Sequence, residues 1–198
     1  MKEKLPIYMI GSGGHASVVL DILLLNGLTI EGVIQNTNLI NKKFKSFELF
    51  SENNFMKYFG IEDVRLVNGI GNMPKNNIRM NVTNNFKSKK YKFISTIHPS
   101  ATIEKNIELP SDIQVMAGVV INSGCQIGND CIINTRAVLD HDCQIGNNTH
   151  IAPGAVLCGG VKVGRDSFIG ANSTILQGVS IKAGTLVAAA SLVQVNNK

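Results

Sequence analysis

From Ile97 to Val193 every sixth residue is Ile, Leu or Val, without interruption. Seventeen hexads thus run in one register through the second half of the 198-residue chain. A fixed short period means that one structural unit is stacked many times. An α-helix, with 3.6 residues per turn, cannot hold a period of six on one face. A parallel β-helix can, when each hexad forms one flat side and three hexads close a coil of about 18 residues. The residue four places after each aliphatic is small or apolar through most of the run: Cys131 after Ile127, Ala137 after Ile133, Cys143 after Leu139, Ala155 after Ile151. Two residues per hexad therefore face inward, in strand alternation. Gly, Asn and Asp fill the turns, as in Gly128-Asn129-Asp130 and Gly146-Asn147-Asn148, because a tight corner needs the left-handed backbone these residues tolerate.

The same repeat accounts for a compositional oddity. Hydrophobic residues make up 44% of the chain, yet aromatics are 6% and Trp is absent; narrow coils have room for Ile and Val and little for rings. Charge divides between the halves. Residues 1–96 carry 13 Lys/Arg against 7 Asp/Glu, and residues 97–198 carry 6 against 7. A basic first half suits an anionic ligand such as a nucleotide, or a membrane surface; a solvated face is the plainer alternative. No nucleic-acid motif is present. The start, MKEKLPIYMIGSGG, does not read as a signal peptide, and no stretch approaches the roughly 18–20 apolar residues of a membrane span. A cytoplasmic protein is expected. Cys125, Cys131 and Cys143 fall at inward positions and read as reduced core residues rather than metal ligands, since spacings of 6 and 12 lack a CxxC clamp.

Residues 1–96 read as a separate α/β domain and 97–198 as the solenoid. Pro6–Ile10 is a buried strand, followed by the loop Gly11-Ser12-Gly13-Gly14-His15-Ala16 and a helix stopping at Asn26-Gly27. Further strands are expected at 30–34, 63–72 and 91–96, a helix at 75–90, and a helix or loop at 46–60. Strand, helix, strand with short links makes a parallel sheet, whose ligands gather at the strand ends. The glycine loop presents backbone N–H groups at a helix start, where a phosphate binds, although a tight strand-to-helix turn needs no more than this. A full dinucleotide site does not fit, because the second strand ends at Gln35-Asn36 with no acidic residue. A mononucleotide or nucleotide sugar fits better.

In the solenoid, His141 stands between Asp140 and Asp142 near a coil corner, and so points outward. A carboxylate beside an imidazole fixes its tautomer and raises its basicity, as a general base requires. An exposed turn histidine between two solvated acids is the alternative. His150, half a coil on, lies far around the same prism, but a neighbouring copy in a trimer brings it to the same cleft. His98 reads as a junction residue. A three-histidine metal centre is not expected from this spacing.

Together GSGGHASVVLDIL, GIGN, NTRAVLDHDC, HIAPGAVLCGGVKVG and FIGANSTIL resemble the sugar acyltransferases of the sialic-acid O-acetyltransferase (NeuD) and bacillosamine-pathway N-acetyltransferase (PglD) type. Within that family the likeness is closest to enzymes that acetylate a UDP-4-amino-sugar. The resemblance implies a Rossmann-like domain followed by a left-handed β-helix, a homotrimer with active sites between subunits, and acetyl-CoA lying along the groove between neighbouring coils. It implies His141 as base and Asp142 as the acid supporting it, where the family often has Glu. His150, Ala171 and Ala189 match acetyl-CoA contacts. Gly13, Gly14, His15 and Gly71 match the nucleotide-sugar site, together with Gln35 and Asn36 at the place where many relatives carry an Asp pair. No metal is implied. Many relatives end in a GVPAK-like tail; here the sequence reads VQVNNK. The expected activity is N-acetylation of a nucleotide-linked amino sugar. O-acetylation of sialic acid and a non-catalytic β-helix module are the alternatives.

Overall fold

A computed structural model describes residues 5–37, 40–74 and 76–194. It divides into two units, Met1–Ile94 and Ser95–Lys198.

The first unit is built on strand β1 (Ile7–Ile10), buried along its whole length. It pairs in parallel with β2 (Gly32–Ile34) on one side and β4 (Arg65–Asn68) on the other, and β3 (Glu48–Phe50) extends the sheet beyond β2. A strand covered on both faces reads as an unbroken apolar run, and IYMI is one. Helix α1 (Gly14–Leu25) turns Ala16, Val19, Leu20, Ile22 and Leu23 inward. It ends where Gly27 takes a positive φ of 68° and the Asn26 side chain caps Ile22 O at 2.8 Å. The span expected as helix or loop at 46–60 holds both β3 and a short helix, α2 (Glu52–Tyr58); α3 (Ile78–Ser88) follows. The strand expected at 91–96 is reduced to a single parallel bridge, Phe93 to Leu66. Thr96 instead pairs with Gln114 and opens the solenoid.

The second unit is a left-handed β-helix of two-residue strands in three parallel sheets. The first face holds Thr96–Ile97, Gln114–Val115, Ile132–Ile133, His150–Ile151, Phe168–Ile169 and Leu186–Val187. The second holds Thr102–Ile103, Val120–Ile121, Val138–Leu139, Val156–Leu157, Thr174–Ile175 and Leu192–Val193. The third holds Gln126–Ile127, Gln144–Ile145, Lys162–Val163 and Ser180–Ile181. Each strand pairs with the one 18 residues on, as Val138 does with Val156. The inward aliphatics form one continuous core that includes Cys125, Cys131 and Cys143. From Gly118 to Ala190 every sixth residue has a positive φ, and the non-glycine members are Asp130, Arg136, Asp142, Asn148, Asp166, Asn172 and Ala190. Asp and Asn tolerate this conformation best among residues with a side chain, which is why they recur at the corners. One expected strand is missing. The hexad at Leu109 forms none, because Pro110 stands where the ladder needs an N–H, the role Gly128 N plays toward Ile145 O one coil later at 2.8 Å.

Candidate active site

His141 sits at the corner between the second and third faces, on the turn joining Val138–Leu139 to Gln144–Ile145. Its side chain is exposed, as the corner position requires. The imidazole Nδ1–H donates to Asp142 Oδ2 at 2.8 Å. That bond fixes the tautomer and leaves Nε2 with its lone pair outward. Asp142 reaches Nδ1 although it is shorter than Glu, from a backbone with φ 61°. On the other side, Asp140 Oδ2 lies 4.0 Å from Nε2. Asn122, one coil earlier, donates to Asp140 Oδ1 at 2.9 Å. The Asp142 hydrogen bond, and after it the negative charge of Asp140, raises the His141 pKa above its ordinary value. The Asn122 amide, and then the backbone N–H of His141, lowers that of Asp140. His141 is thus a strengthened base held between two carboxylates.

The room for this ring comes from the next coil. A Cβ placed on Gly159 would lie 2.4 Å from His141 Nε2. Along the corner on that side Gly159 and Gly160 leave the backbone bare above His141, and Gln177 and Gly178 follow one coil further on. Gly160 N–H donates to His141 O at 2.8 Å and Gly178 N–H to Gly159 O at 3.0 Å.

The remaining solenoid candidates lie elsewhere on the prism. His150 is on the first face, opposite the corner that carries His141. It is 7% exposed, makes an edge-to-face contact with Phe168 and lies 3.1 Å from Asn134 Nδ2. Ala171 and Ala189 lie at the corner between the first and second faces, stacked one coil apart, with Ala190 N–H bonded to Ala171 O at 2.8 Å. One chain therefore does not bring His150, Ala171 or Ala189 to His141. His98 is engaged locally, its Nδ1 2.7 Å from Ser100 Oγ. Among the described residues no three His, Cys, Asp or Glu side chains converge as a metal site would require, and no helix is long and apolar enough to cross a membrane.

Within the first unit lies a cavity of about 380 Å³ at the ends of β1, β2 and β4. Gly13, Gln35 and Asn36 line it, joined by Ser12, Thr37 and Glu52 and by an aliphatic wall of Ile34, Ile70, Ile78 and Val82. Gly13 caps α1 with no side-chain bond, and the helix has no acidic residue in its first turn. A Cβ on Gly13 or Gly14 would meet nothing within 4 Å, so the loop is open above. Gly71 lies beside His15, with its would-be Cβ 3.4 Å from that of the histidine. His15, Gly14 and Gly71 are not among the cavity's lining residues.

Residues 6–86 match the PglD N-terminal domain, and residues 124–159 and 142–177 match the bacterial transferase hexapeptide repeat. Over 96% of this chain and 89% of the other, it is 32% identical to PerB from Caulobacter crescentus, solved in complex with CoA and GDP-perosamine, with a TM-score of 0.86. The chain belongs to the hexapeptide-repeat sugar N-acetyltransferases of the PglD and NeuD type. The acetyltransferase domain of PglB from Neisseria gonorrhoeae is also similar, at 26% identity over 98% of this chain and 94% of that one, with a TM-score of 0.86. WeeI from Acinetobacter baumannii, at 18% identity and a TM-score of 0.72 over 96% and 94% of the two chains, shares the fold. No curated protein matches significantly.

In this acetyltransferase three residues escaped the sequence reading. Gly159 lies 18 residues after His141, and Asn122 lies 18 before Asp140. Both were within reach of the repeat arithmetic, which places them one coil away. Glu52 carried no such signal. It supplies the acidic group that the end of β2 lacks, and it comes from the start of α2.

Proposed function

We propose that this enzyme moves the acetyl group of acetyl-CoA to the amino group of a nucleotide-linked amino sugar, with residues 1–96 holding the nucleotide sugar and residues 97–198 holding acetyl-CoA and carrying the chemistry. The observation that bears most weight is the His141–Asp142 pair, with Nε2 facing a corner kept empty by Gly159. The neutral amine attacks the thioester carbonyl carbon. His141 Nε2 takes a proton from the amine nitrogen as the carbon–nitrogen bond forms. The tetrahedral intermediate then collapses, the carbon–sulfur bond breaks, and the proton passes to the departing thiolate to give CoA. Asp142 holds the tautomer throughout and steadies the imidazolium. A thioester is already activated, so the base and the positioning supply the rate.

The bare stretch of backbone at Gly159 and Gly160 above His141 fits a slender acyl-pantetheine arm, with Gln177 and Gly178 on the coil beyond. Of the other proposed acetyl-CoA contacts, His150, on the first face, belongs in this reading to the partner subunit of a homotrimer, whereas Ala171 and Ala189, at the corner between the first and second faces, fall toward the threefold axis and away from His141. Two features support that arrangement. The outward residues of the second face are Thr102, Val120, Val138, Val156, Thr174 and Leu192, the last 56% exposed; those of the first face include Phe168 and Leu186, the latter 50% exposed. The third face instead presents Gln126, Gln144, Lys162 and Ser180. Two faces that flank one corner, the second mostly aliphatic and the first carrying Ile132, Phe168 and Leu186, suit packing around a threefold axis, and that packing sets the first face of one copy beside the second face of the next. The setting that accompanies this reaction is the cytoplasm. In the first unit, Gly13, Gly14, His15 and Gly71 are assigned to the diphosphate and sugar, and Gln35 and Asn36 to the nucleoside end.

The test is CoA release from acetyl-CoA with a panel of GDP- and UDP-linked 4-amino-4,6-dideoxy sugars, with free and CMP-linked sialic acid as controls. Release with an amino-sugar nucleotide, lowered roughly 10²–10⁴-fold in His141→Ala with assembly unchanged, is expected. Unaltered turnover in His141→Ala removes the base assignment, and release with sialic acids alone moves the activity to O-acetylation.

A further inference from the structure

We propose that the cavity of the first unit selects guanine, and that Glu52 is the residue that reads the base. The proposal rests on the nucleotide-sugar reading above and concerns the specificity of that same site. The cavity is of the size small-molecule sites take, and its aliphatic wall, Ile34, Ile70, Ile78 and Val82, suits the flat faces of a base.

The polar groups at its rim are not equally available. Gln35 is committed at both ends: Oε1 accepts from Ser12 Oγ at 2.6 Å, and Nε2 donates to Thr37 O at 2.8 Å. Asn36 is spent on Glu52, with Nδ2 donating to Oε1 at 2.9 Å and Oδ1 accepting from Glu52 N at 3.1 Å. Asn85 Nδ2 donates to the other carboxylate oxygen, Oε2, at 3.0 Å. The Glu52 carboxylate is thereby fixed in orientation, with each oxygen holding one amide. An ionised carboxyl oxygen accepts about two hydrogen bonds, so each keeps one position for a ligand. Glu52 lines the cavity and offers two acceptors side by side and no donor.

Only one base edge matches that offer. Guanine carries N1–H and the N2 amine next to each other, two parallel donors for a forked carboxylate. Uracil sets one N–H between two carbonyl oxygens. Cytosine and adenine set an amine beside a bare ring nitrogen. Each of these turns at least one lone pair toward the carboxylate. A site built to receive a donor rejects a ligand that lacks it, because its own polar atoms are then left unpaired.

The experiment is calorimetric binding of GDP, IDP and UDP to the unmodified chain and to Glu52→Gln. IDP is GDP without the N2 amine, so the comparison on the unmodified chain needs no variant to fold. GDP is expected to bind roughly 10–100-fold more tightly than either competitor, the scale of a hydrogen bond to a charged group. Glu52→Gln keeps the shape, and Asn85 can turn its amide over to meet the new NH₂. It is expected to remove the GDP advantage while leaving IDP and UDP within about threefold of their original affinity. Equal binding of GDP and IDP, tighter binding of UDP, or an equal loss of all three nucleotides in the variant (as a ribose contact gives) overturns the proposal. Binding of none of the three overturns it together with the nucleotide-sugar reading. GDP selectivity without acetyl transfer to any GDP-linked amino sugar keeps the base assignment and removes the proposed activity.

Discussion

The two units fill their interiors with different materials. The first packs rings: Tyr8, Phe50, Phe55, Phe59, Phe86 and Tyr91 form one cluster, with Phe55 and Phe59 stacked 4.9 Å apart. The solenoid packs none; its single aromatic, Phe168, points outward against His150. A coil closed by three two-residue strands admits one branched aliphatic and one small residue per side, whereas an open sheet covered by helices leaves space that only large side chains fill. The functional groups follow the same division. At the corner of the solenoid, His141, Asp142, Asp140, Asn122 and Gly159 come from three successive coils in a fixed register. The cavity of the first unit is assembled from elements with no such register, the ends of three strands and the starts of three helices.

The inward and outward positions of one repeat give the largest test of this contrast. Val163 is 3% exposed and points into the coil. Val163→Asp leaves a carboxylate in a core with no partner, a loss of roughly 3–5 kcal/mol, which is a large part of the stability of an ordinary domain. Insoluble protein or a strongly lowered melting temperature is expected. Val138, on the outward row of the second face, carries the same side chain under the opposite demand. Val138→Asp is expected to leave the melting of the coils nearly unchanged and to convert the proposed trimer to monomer in sedimentation. A native-like Val163→Asp would mean that the assignment of inward and outward rows is wrong.

That contrast also explains what could be read from the sequence. Periodicity located the solenoid and its corner residues, His141 with Asp140 and Asp142 beside it among them, because all of them obey one local rule; the choice of Asp142 over Asp140 came from the family resemblance. The failure at Leu109 is itself local, since Pro110 removes the ladder's donor. In the first unit the buried run Pro6–Ile10 and the Gly loop were legible, but the strand expected at 91–96 shrank to the Phe93 bridge because Thr96 was taken by the first coil. Glu52 was invisible for a deeper reason. Nothing in SENNF marks its carboxylate as standing beside Gln35 and Asn36; only the pairing of β2 with β3 puts it there.

Gly159 sharpens the comparison within the solenoid. Its backbone has no positive φ that would forbid a side chain, so Gly159→Ala tests space alone. The added Cβ meets the His141 ring, which must swing away from its position over the corner. A displacement of about 1 Å in a reacting group costs on the order of 10²-fold, and a fall of this size in kcat with an unchanged melting temperature is expected. Unchanged turnover would mean that the ring works from another position.

The pH profile gives a smaller effect with a definite sign. His141 acts as base in its neutral form, and its pKa is raised above 6.5 by Asp142 and then by Asp140. Activity therefore rises with pH through that raised value and levels off above it. Asp142→Asn removes the largest cause, so the rising limb of kcat/KM is expected to move to lower pH. The plateau falls as well, because a neutral amide does not steady the imidazolium. A limb that stays in place would assign the titration to another group.

Asn122 predicts the smallest change, and its variant separates the two carboxylates that flank His141. Asn122 touches neither the ring nor Asp142; it holds Asp140 Oδ1, while Oδ2 remains 4.0 Å from Nε2. Removing the amide in Asn122→Ala weakens the main influence that keeps Asp140 ionised and frees its side chain to turn away from the imidazole. Both charges are exposed and screened by solvent, so the coupling is modest. The rising limb of kcat/KM is expected to move slightly toward lower pH, with a plateau within about threefold of the unmodified enzyme. The direction matters more than the size. A downward shift says that Asp140 contributes field to the base from one coil corner while Asp142 sets its tautomer. A shift upward, or a plateau loss as large as that of Asp142→Asn, would instead mean that Asp140 meets the substrate directly, as a partner for the acceptor amine.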